Sequence, residues 1–154
     1  MATPRKKLTP GDVLAIKSGG KIIYLQYIGL HPEYGAAVII SGKMHDSPVP
    51  VTDNIFSHGY VGFYPAAAAV AHGLVDVVGH LPPPNVPLRV RRPGARSGQQ
   101  VNTWIVEGGT KEYVKTTLSA EELELPIAAI WNHEFLIQRV SEGWDPKREE
   151  PEYE

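Results

Sequence analysis

The residues that most constrain the fold lie between positions 12 and 41, where three extended runs are joined by short turns. Residues 13–16 and 22–28 are rich in β-branched and aromatic side chains. Gly19 and Gly20 between them allow the positive φ angles of a tight hairpin. In the second run, the residues that would point to either face of a strand are mainly apolar, which is typical of a central strand covered on both faces. With a third run at residues 36–40, the pattern predicts a three-stranded antiparallel meander.

Two later stretches carry helix signals. Pro65 suits the first turn of one helix and Gly73 suits its end. The apolar stripe of that helix has the members Phe63, Ala67, Val70, Ala71 and Leu74. Ser119 and Glu122 form the capping-box pattern that predicts a second helix start.

The rest of the chain predicts short strands and turns. Polar residues 41–60 predict a loop, and Gly108 with Gly109 predicts a second hairpin turn. The remaining strands are predicted at residues 75–78, 88–91, 104–106, 113–114 and 134–140.

Together these elements predict a mainly β (α+β) fold. We expect a small, strongly bent antiparallel sheet or a partly open barrel with one or two short helices. The 154 residues are the common size of one domain, so residues 1–154 are predicted to form a single domain. Residues 1–8 form a loose basic lead, and residues 145–154 form an acidic tail that we expect to be mobile.

Composition excludes several classes of function. The absence of cysteine rules out disulfides, thiolate zinc sites and cysteine nucleophiles. A net charge of −2 gives no overall attraction to nucleic acid or membrane surfaces. The weakly polar run at residues 61–71 is too short to span a bilayer, and we expect no secretory signal, because no apolar region follows the basic start. We therefore expect a cytoplasmic protein that neither associates with membranes nor carries a cofactor.

The sequence assigns no catalytic or metal-ligating residue. No phosphate-binding or dinucleotide motif is present. No two histidines have the spacing that places two metal ligands on one face of a helix or strand. The histidines are His31, His45, His58, His72, His80 and His133. A hydrolase or metalloenzyme assembled from these dispersed histidines stays open as an alternative.

The strongest local anomaly is an arginine cluster at residues 89–96. Its members are Arg89, Arg91, Arg92 and Arg96. On a strand, Arg89 and Arg91 share one face while Val90 points inward. Three interpretations follow: an edge strand protected by charge, a site for an acidic protein partner or the chain's own tail, and a nucleic-acid surface.

The sequence allows two interpretations of Trp144. It lies between Gly143 and Asp145 near the end of the chain. The indole either pins the tail to the body of the domain or stands exposed as an anchor for a partner. We therefore group Trp144 with the arginine cluster as a predicted partner-binding residue.

The opening of the chain resembles small bacterial immunity proteins of the Immunity protein 26 type. The resemblance covers about 30 residues: Gly11 and Asp12 before an apolar strand, then Gly20 and a strand bearing Tyr24. Lys17 stands where such openings often carry proline. The resemblance implies a non-enzymatic, mainly β protein that binds and blocks a toxin made by the same cell.

The predicted function is accordingly a protein-binding domain, an immunity-type inhibitor whose partner is a toxin. An alternative is a small nucleic-acid-binding β-barrel that uses the arginine strand, although the balanced charge disfavours nucleic acid. The oligomeric state has no signature in the sequence.

Overall fold

The computed structural model describes residues 7–85, 89–97, 100–107, 111–115, 119–144 and 146, with the backbone alone for residues 92–97, 100–107 and 111–115. The strands are β1 (Asp12–Ser18), β2 (Lys21–His31), β3 (Gly35–Ile40), β4 (Tyr60–Phe63), β5 (Asp76–His80), β6 (Arg89–Ser97), β7 (Gln100–Glu107) and β8 (Lys111–Lys115). The helices are α1 (Ala66–Ala71), α2 (Ala120–Leu123) and α3 (His133–Ser141), and a 3-10 turn spans Asp53–Phe56.

Five strands form one antiparallel sheet in the order β4-β3-β2-β1-β5. The predicted meander is confirmed as β1, β2 and β3, with Gly19 and Gly20 at φ angles of 57° and 79° in the first turn. β2 lies at the centre, and Ile23 on one face and Tyr24 on the other are both buried. The apolar character of both faces of this run therefore did predict its central position.

Each face of the five-stranded sheet is covered by different elements. One face packs against α1, α3 and two tryptophans, with Leu14, Ile23 and Leu25 at its centre. On the other face, Ala37 and Phe63 pack against Val90 of β6, which belongs to a three-stranded sheet ordered β6-β7-β8. The mainly β, α+β prediction is confirmed, and the described strands form open sheets, not a closed barrel.

Residues 126–131 connect the two sheets through backbone hydrogen bonds. The Arg91 amide donates to the Pro126 carbonyl and the Ala128 amide donates to the Arg91 carbonyl, each at 2.9 Å. Further along, the Trp131 amide donates to the Phe63 carbonyl at 2.8 Å. One short segment therefore runs parallel to β6 at one end and to β4 at the other. We call residues 126–131 the connecting segment.

A tight corner precedes β1 and explains the glycine–aspartate pair found there. Gly11 has a φ of 104°, and a Cβ on it would lie 2.4 Å from the Leu81 carbonyl oxygen. The buried Asp12 carboxylate accepts a hydrogen bond from the Thr9 amide at 2.9 Å. Its other oxygen lies 3.1 Å from Nδ1 of His80. The pair thus joins the start of β1 to the end of β5.

The first predicted helix is shorter than its apolar stripe suggested. α1 contains only Ala66–Ala71, because Phe63 belongs to β4 and Leu74 lies beyond the helix with 46% of its surface exposed. The predicted loop at residues 41–60 ends where β4 begins at Tyr60. None of the helices in the described part of the chain is long and apolar enough to cross a membrane.

The prediction of a strand at residues 134–140 is wrong, because this stretch forms α3. The Asn132 side chain caps the helix by accepting a hydrogen bond from the Phe135 amide at 2.7 Å. Leu136 and Val140, four residues apart, are both buried on one face. A strand also places positions four apart on one face, so the apolar pattern was compatible with either structure.

The other predicted elements are found with changed boundaries. The capping box of Ser119 and Glu122 begins α2, and the second hairpin is formed by β7 and β8. The predicted strands at 75–78 and 88–91 correspond to β5 and β6. The turn at residues 108–110, residues 1–6 of the lead and the tail except Pro146 lie outside the described residues.

Replacing Gly11 tests the corner before β1. We expect Gly11→Ala to lower the free energy of unfolding by about 3 kcal/mol, because the methyl group combines a strained φ with a clash against backbone. Gly19→Ala is the matched control, since its Cβ meets nothing within 4 Å and only the positive φ opposes it. Its expected cost is about 1 kcal/mol. Urea denaturation of both variants measures the difference, and equal costs would contradict this role of the corner.

Candidate functional site

The arginine cluster lies on β6, at one edge of the three-stranded sheet. β6 pairs with β7 from Arg89 opposite Glu107 to Ser97 opposite Gln100. The register shifts between Pro93 and Arg96. Among the described residues, the other side of β6 is bridged at Arg91, by Ile127 of the connecting segment. The backbone therefore places all four arginines on one edge strand.

Arg91 is held inside the protein. Only 3% of its surface is exposed, and Val90 beside it is fully buried. The guanidinium Nη2 donates hydrogen bonds to the Pro146 carbonyl and, at 3.4 Å, to the Leu123 carbonyl. The sequence placed only Val90 inward, whereas the structure buries both residues because the connecting segment and α2 lie against this part of β6. Arg91 thus supports the strand from within and does not present its guanidinium to a partner in this structure.

For the other three arginines, the structure gives the burial of Arg89 and only the backbone pairing of Arg92 and Arg96. Arg89 is half-buried at the start of β6. Arg92 lies opposite Trp104 and Arg96 opposite Val101 along the backbone of the β6–β7 pair. A partner-binding role for these three residues stays a prediction.

Trp144 belongs to an aromatic cluster beneath the five-stranded sheet. The indole is 7% exposed, and its centroid lies 4.8 Å from that of Trp131 and 5.2 Å from that of Tyr60. The Arg139 guanidinium lies 5.2 Å from the Trp144 ring centroid. The indole is thus buried in this cluster and not exposed as an anchor in this structure, and a partner-binding role for Trp144 stays a prediction.

A cavity of about 510 Å³ lies next to Arg91. Tyr60 and Pro146 are its buried lining residues, whereas Ser57, His58 and Glu124 are exposed. The full lining consists of Ser57, His58, Gly59, Tyr60, Val61, Glu124 and Pro146. Arg91 touches this lining directly, through its hydrogen bond to the Pro146 carbonyl. Sequence reasoning missed the cavity, because its walls come from three separate parts of the chain and no local motif joins them.

Three of the six histidines have Nδ1 engaged by neighbouring groups. His80 contacts the Asp12 carboxylate, and His133 contacts the Tyr64 hydroxyl at 2.8 Å. His31 accepts hydrogen bonds from the amides of residues 33 and 34. The described residues contain no group of three or more histidine, aspartate or glutamate side chains that could hold a metal ion.

Burial strongly shifts the pKa of the Tyr64 hydroxyl group. Its side chain is almost fully buried, and burial disfavours the phenolate, which raises the pKa of Tyr64 to about 12. Its hydroxyl hydrogen bond with His133 joins the end of β4 to the first turn of α3. The contact therefore strengthens the packing of α3.

Scans against models of protein families, curated protein sequences and solved structures found no match to this chain. The resemblance to immunity proteins at residues 11–24 consequently stays a prediction, as does the function that it implies.

Replacing Arg91 tests its role in the interior. We expect Arg91→Met to lower the free energy of unfolding by about 2–4 kcal/mol, because the carbonyls of Leu123 and Pro146 lose a charged donor. The control is Lys17→Met, an exposed position on β1, with an expected change within about 0.5 kcal/mol. Urea denaturation followed by tryptophan fluorescence measures both. A small effect of Arg91→Met would contradict a structural role.

The raised pKa of Tyr64 predicts a loss of stability in alkali. The unfolded chain releases this proton near pH 10, while the folded protein keeps it until about pH 12. The contribution is therefore complete below pH 10 and disappears as the pH rises to about 12. Urea midpoints measured across this range should fall more steeply for the wild type than for Tyr64→Phe. Parallel curves would contradict the shift.

Proposed function

We propose that this chain is a cytoplasmic, non-enzymatic protein-binding domain, a bacterial immunity-type inhibitor that binds and blocks a partner toxin. The observation that carries the proposal is the position of β6. An arginine-rich strand forms the edge of a sheet, and the buried Val90 and Arg91 anchor it to the rest of the domain.

An edge strand of this kind suits protein recognition. Its outer backbone groups are available for pairing with an extended segment, apart from the position taken by Ile127 at Arg91 in the described part of the chain. Because the strand is anchored before binding, little conformational entropy is lost in ordering it when a partner binds. Arginine side chains add bidentate hydrogen bonds to carboxylates. We therefore propose an acidic surface of the toxin as the binding partner.

Edge strands also use charge, proline and irregular register to prevent aggregation. β6 has Pro93 and a register shift between Pro93 and Arg96, so an experiment must separate protection from recognition. Arg91 is unsuitable for this experiment, because it is buried. A loss of binding after its replacement could not be told from a loss of folding. The test variant therefore changes Arg92 and Arg96 and keeps Arg91.

The experiment is a pull-down of tagged protein from its own cells, with and without nuclease treatment. We expect one discrete protein to survive nuclease, and Arg92→Ala/Arg96→Ala to bind it at least tenfold more weakly. The matched control, Lys17→Ala/Lys43→Ala, removes two exposed positive charges elsewhere and should bind normally. The captured protein, expressed alone, should arrest growth, and co-expression of the chain should restore it.

Other outcomes would overturn the proposal in different ways. Unchanged binding by the arginine variant would assign those residues to edge protection. Recovery of nucleic acid that disappears with nuclease, and with rising salt, would favour the nucleic-acid alternative. A captured protein without toxicity would contradict the immunity function.

A further inference from the structure

We propose that residues 43–49, which we call the latch, close over an apolar cluster of the five-stranded sheet and open when the His45 imidazole takes up a proton. The buried members of the cluster are Val13, Ala15, Ile22, Tyr24 and Ile55. An acid-sensitive device of this kind goes beyond the proposed function and does not depend on it. The sequence predicted only a loop at these positions.

The backbone of the latch is attached to β2 at His45. The His45 amide donates to the Ile22 carbonyl and the Ile22 amide donates to the His45 carbonyl, each at 2.8 Å. This antiparallel bridge is isolated, because β3 pairs with β2 only as far as Leu25. An isolated bridge can open locally while the rest of the sheet stays paired.

Tyr24 of β2 holds the latch at two positions. The His45 ring packs against the Tyr24 ring edge to face, with the centroids 5.3 Å apart and the planes at 71°. The Tyr24 hydroxyl accepts a hydrogen bond from the Val49 amide at 3.1 Å. Val49 itself packs against the apolar cluster. A movement of the His45 ring would therefore loosen the contacts that cover this cluster.

A positive charge on His45 opposes the closed latch. Nε2 of the ring is buried and has no hydrogen-bond partner among the described residues. Burial of the ring, and after it the Lys43 ammonium, lower the pKa of His45, whereas the Asp46 carboxylate acts in the opposite direction. A charged imidazole would need a partner or water at Nε2, and the closed latch supplies neither from the described residues. The closed latch therefore favours the neutral ring.

The charged groups of the adjoining elements are mainly positive. The latch contributes Lys43 and Asp46, and β2 contributes Lys21, whose ammonium lies 3.3 Å from the Asp46 carboxylate. From β1 comes the exposed Lys17, in register with the β2 residue that binds the His45 backbone. Because Asp46 is shared with Lys21, its carboxylate offsets only part of the positive charge near His45. A proton on the imidazole adds to this charge.

The direction of the pH effect follows from linkage. In the open latch the imidazole is in water, where it takes up a proton below about pH 6.5. In the closed latch the ring stays neutral to lower pH, because its pKa is lowered. The closed state is therefore fully favoured above about pH 6.5 and loses stability as the pH falls below that value.

The test follows amide hydrogen exchange of the whole chain by NMR between about pH 7.5 and about pH 5. Protection is expressed relative to an unstructured chain, which removes the intrinsic pH dependence of exchange. We expect the protection of the Ile22, His45 and Val49 amides to fall by about threefold across this range. The Trp131 amide, which donates to the Phe63 carbonyl, is the internal reference and should keep its protection.

Substitution of the histidine separates its titration from that of other groups. His45→Phe keeps an aromatic ring against Tyr24 and cannot take up a proton, so its latch amides should be equally protected at both pH values. His72→Phe makes the same change at an exposed histidine and should stay as acid-sensitive as the wild type. An equal fall of protection in His45→Phe and in the wild type would overturn the inference.

Two charge variants test the same device without removing the ring. Lys43→Met removes a group that lowers the pKa of His45 and should weaken the acid effect. Asp46→Asn removes a group that raises this pKa and should strengthen it. Changes of the same sign, or no change in either variant, would contradict the latch even if His45→Phe failed to fold. No partner protein takes part, so this result is independent of the pull-down.

Discussion

Backbone hydrogen bonds from the connecting segment hold the two sheets of this protein together. At one end the segment bonds to Arg91 of β6, and at the other it bonds to Phe63 of β4. Buried backbone groups need partners, and here the edges of two different sheets supply them to a single stretch of chain. The Arg91 side chain extends the junction to Leu123 and Pro146. The arginine strand and the cavity therefore depend on one shared set of contacts.

Local signals predicted the parts of the fold that are themselves local. The hairpin of β1 and β2 follows from its turn glycines, and the capping box of α2 lies within four residues. α3 was missed because Leu136 and Val140 share a face in a helix and in a strand alike. The cap at Asn132 and packing against the distant β-sheet core select the helix. The spacing of apolar residues along the sequence carries no information about such packing.

The candidate site was harder to predict than the fold for a related reason. Alternation along a strand marked Val90 as inward and left Arg91 outside, but the connecting segment and α2 cover the second side as well. The burial of Trp144 follows from ring contacts with Tyr60 and Trp131, of which Tyr60 lies far away in the sequence. His58 and Glu124 become neighbours across the cavity only after folding. Each of these residues owes its role to contacts from distant parts of the chain.

The late position of the connecting segment has a consequence for the order of folding. β1, β2 and β3 join consecutive stretches and can pair as soon as they are synthesised. One face of their sheet, however, is completed by Trp131, Leu136 and Trp144 near the far end of the chain. Closing such long loops is slow. On the ribosome this face is therefore covered only in part, by α1, until α3 emerges, and the apolar surface left open in the nascent chain is of the kind that chaperones bind.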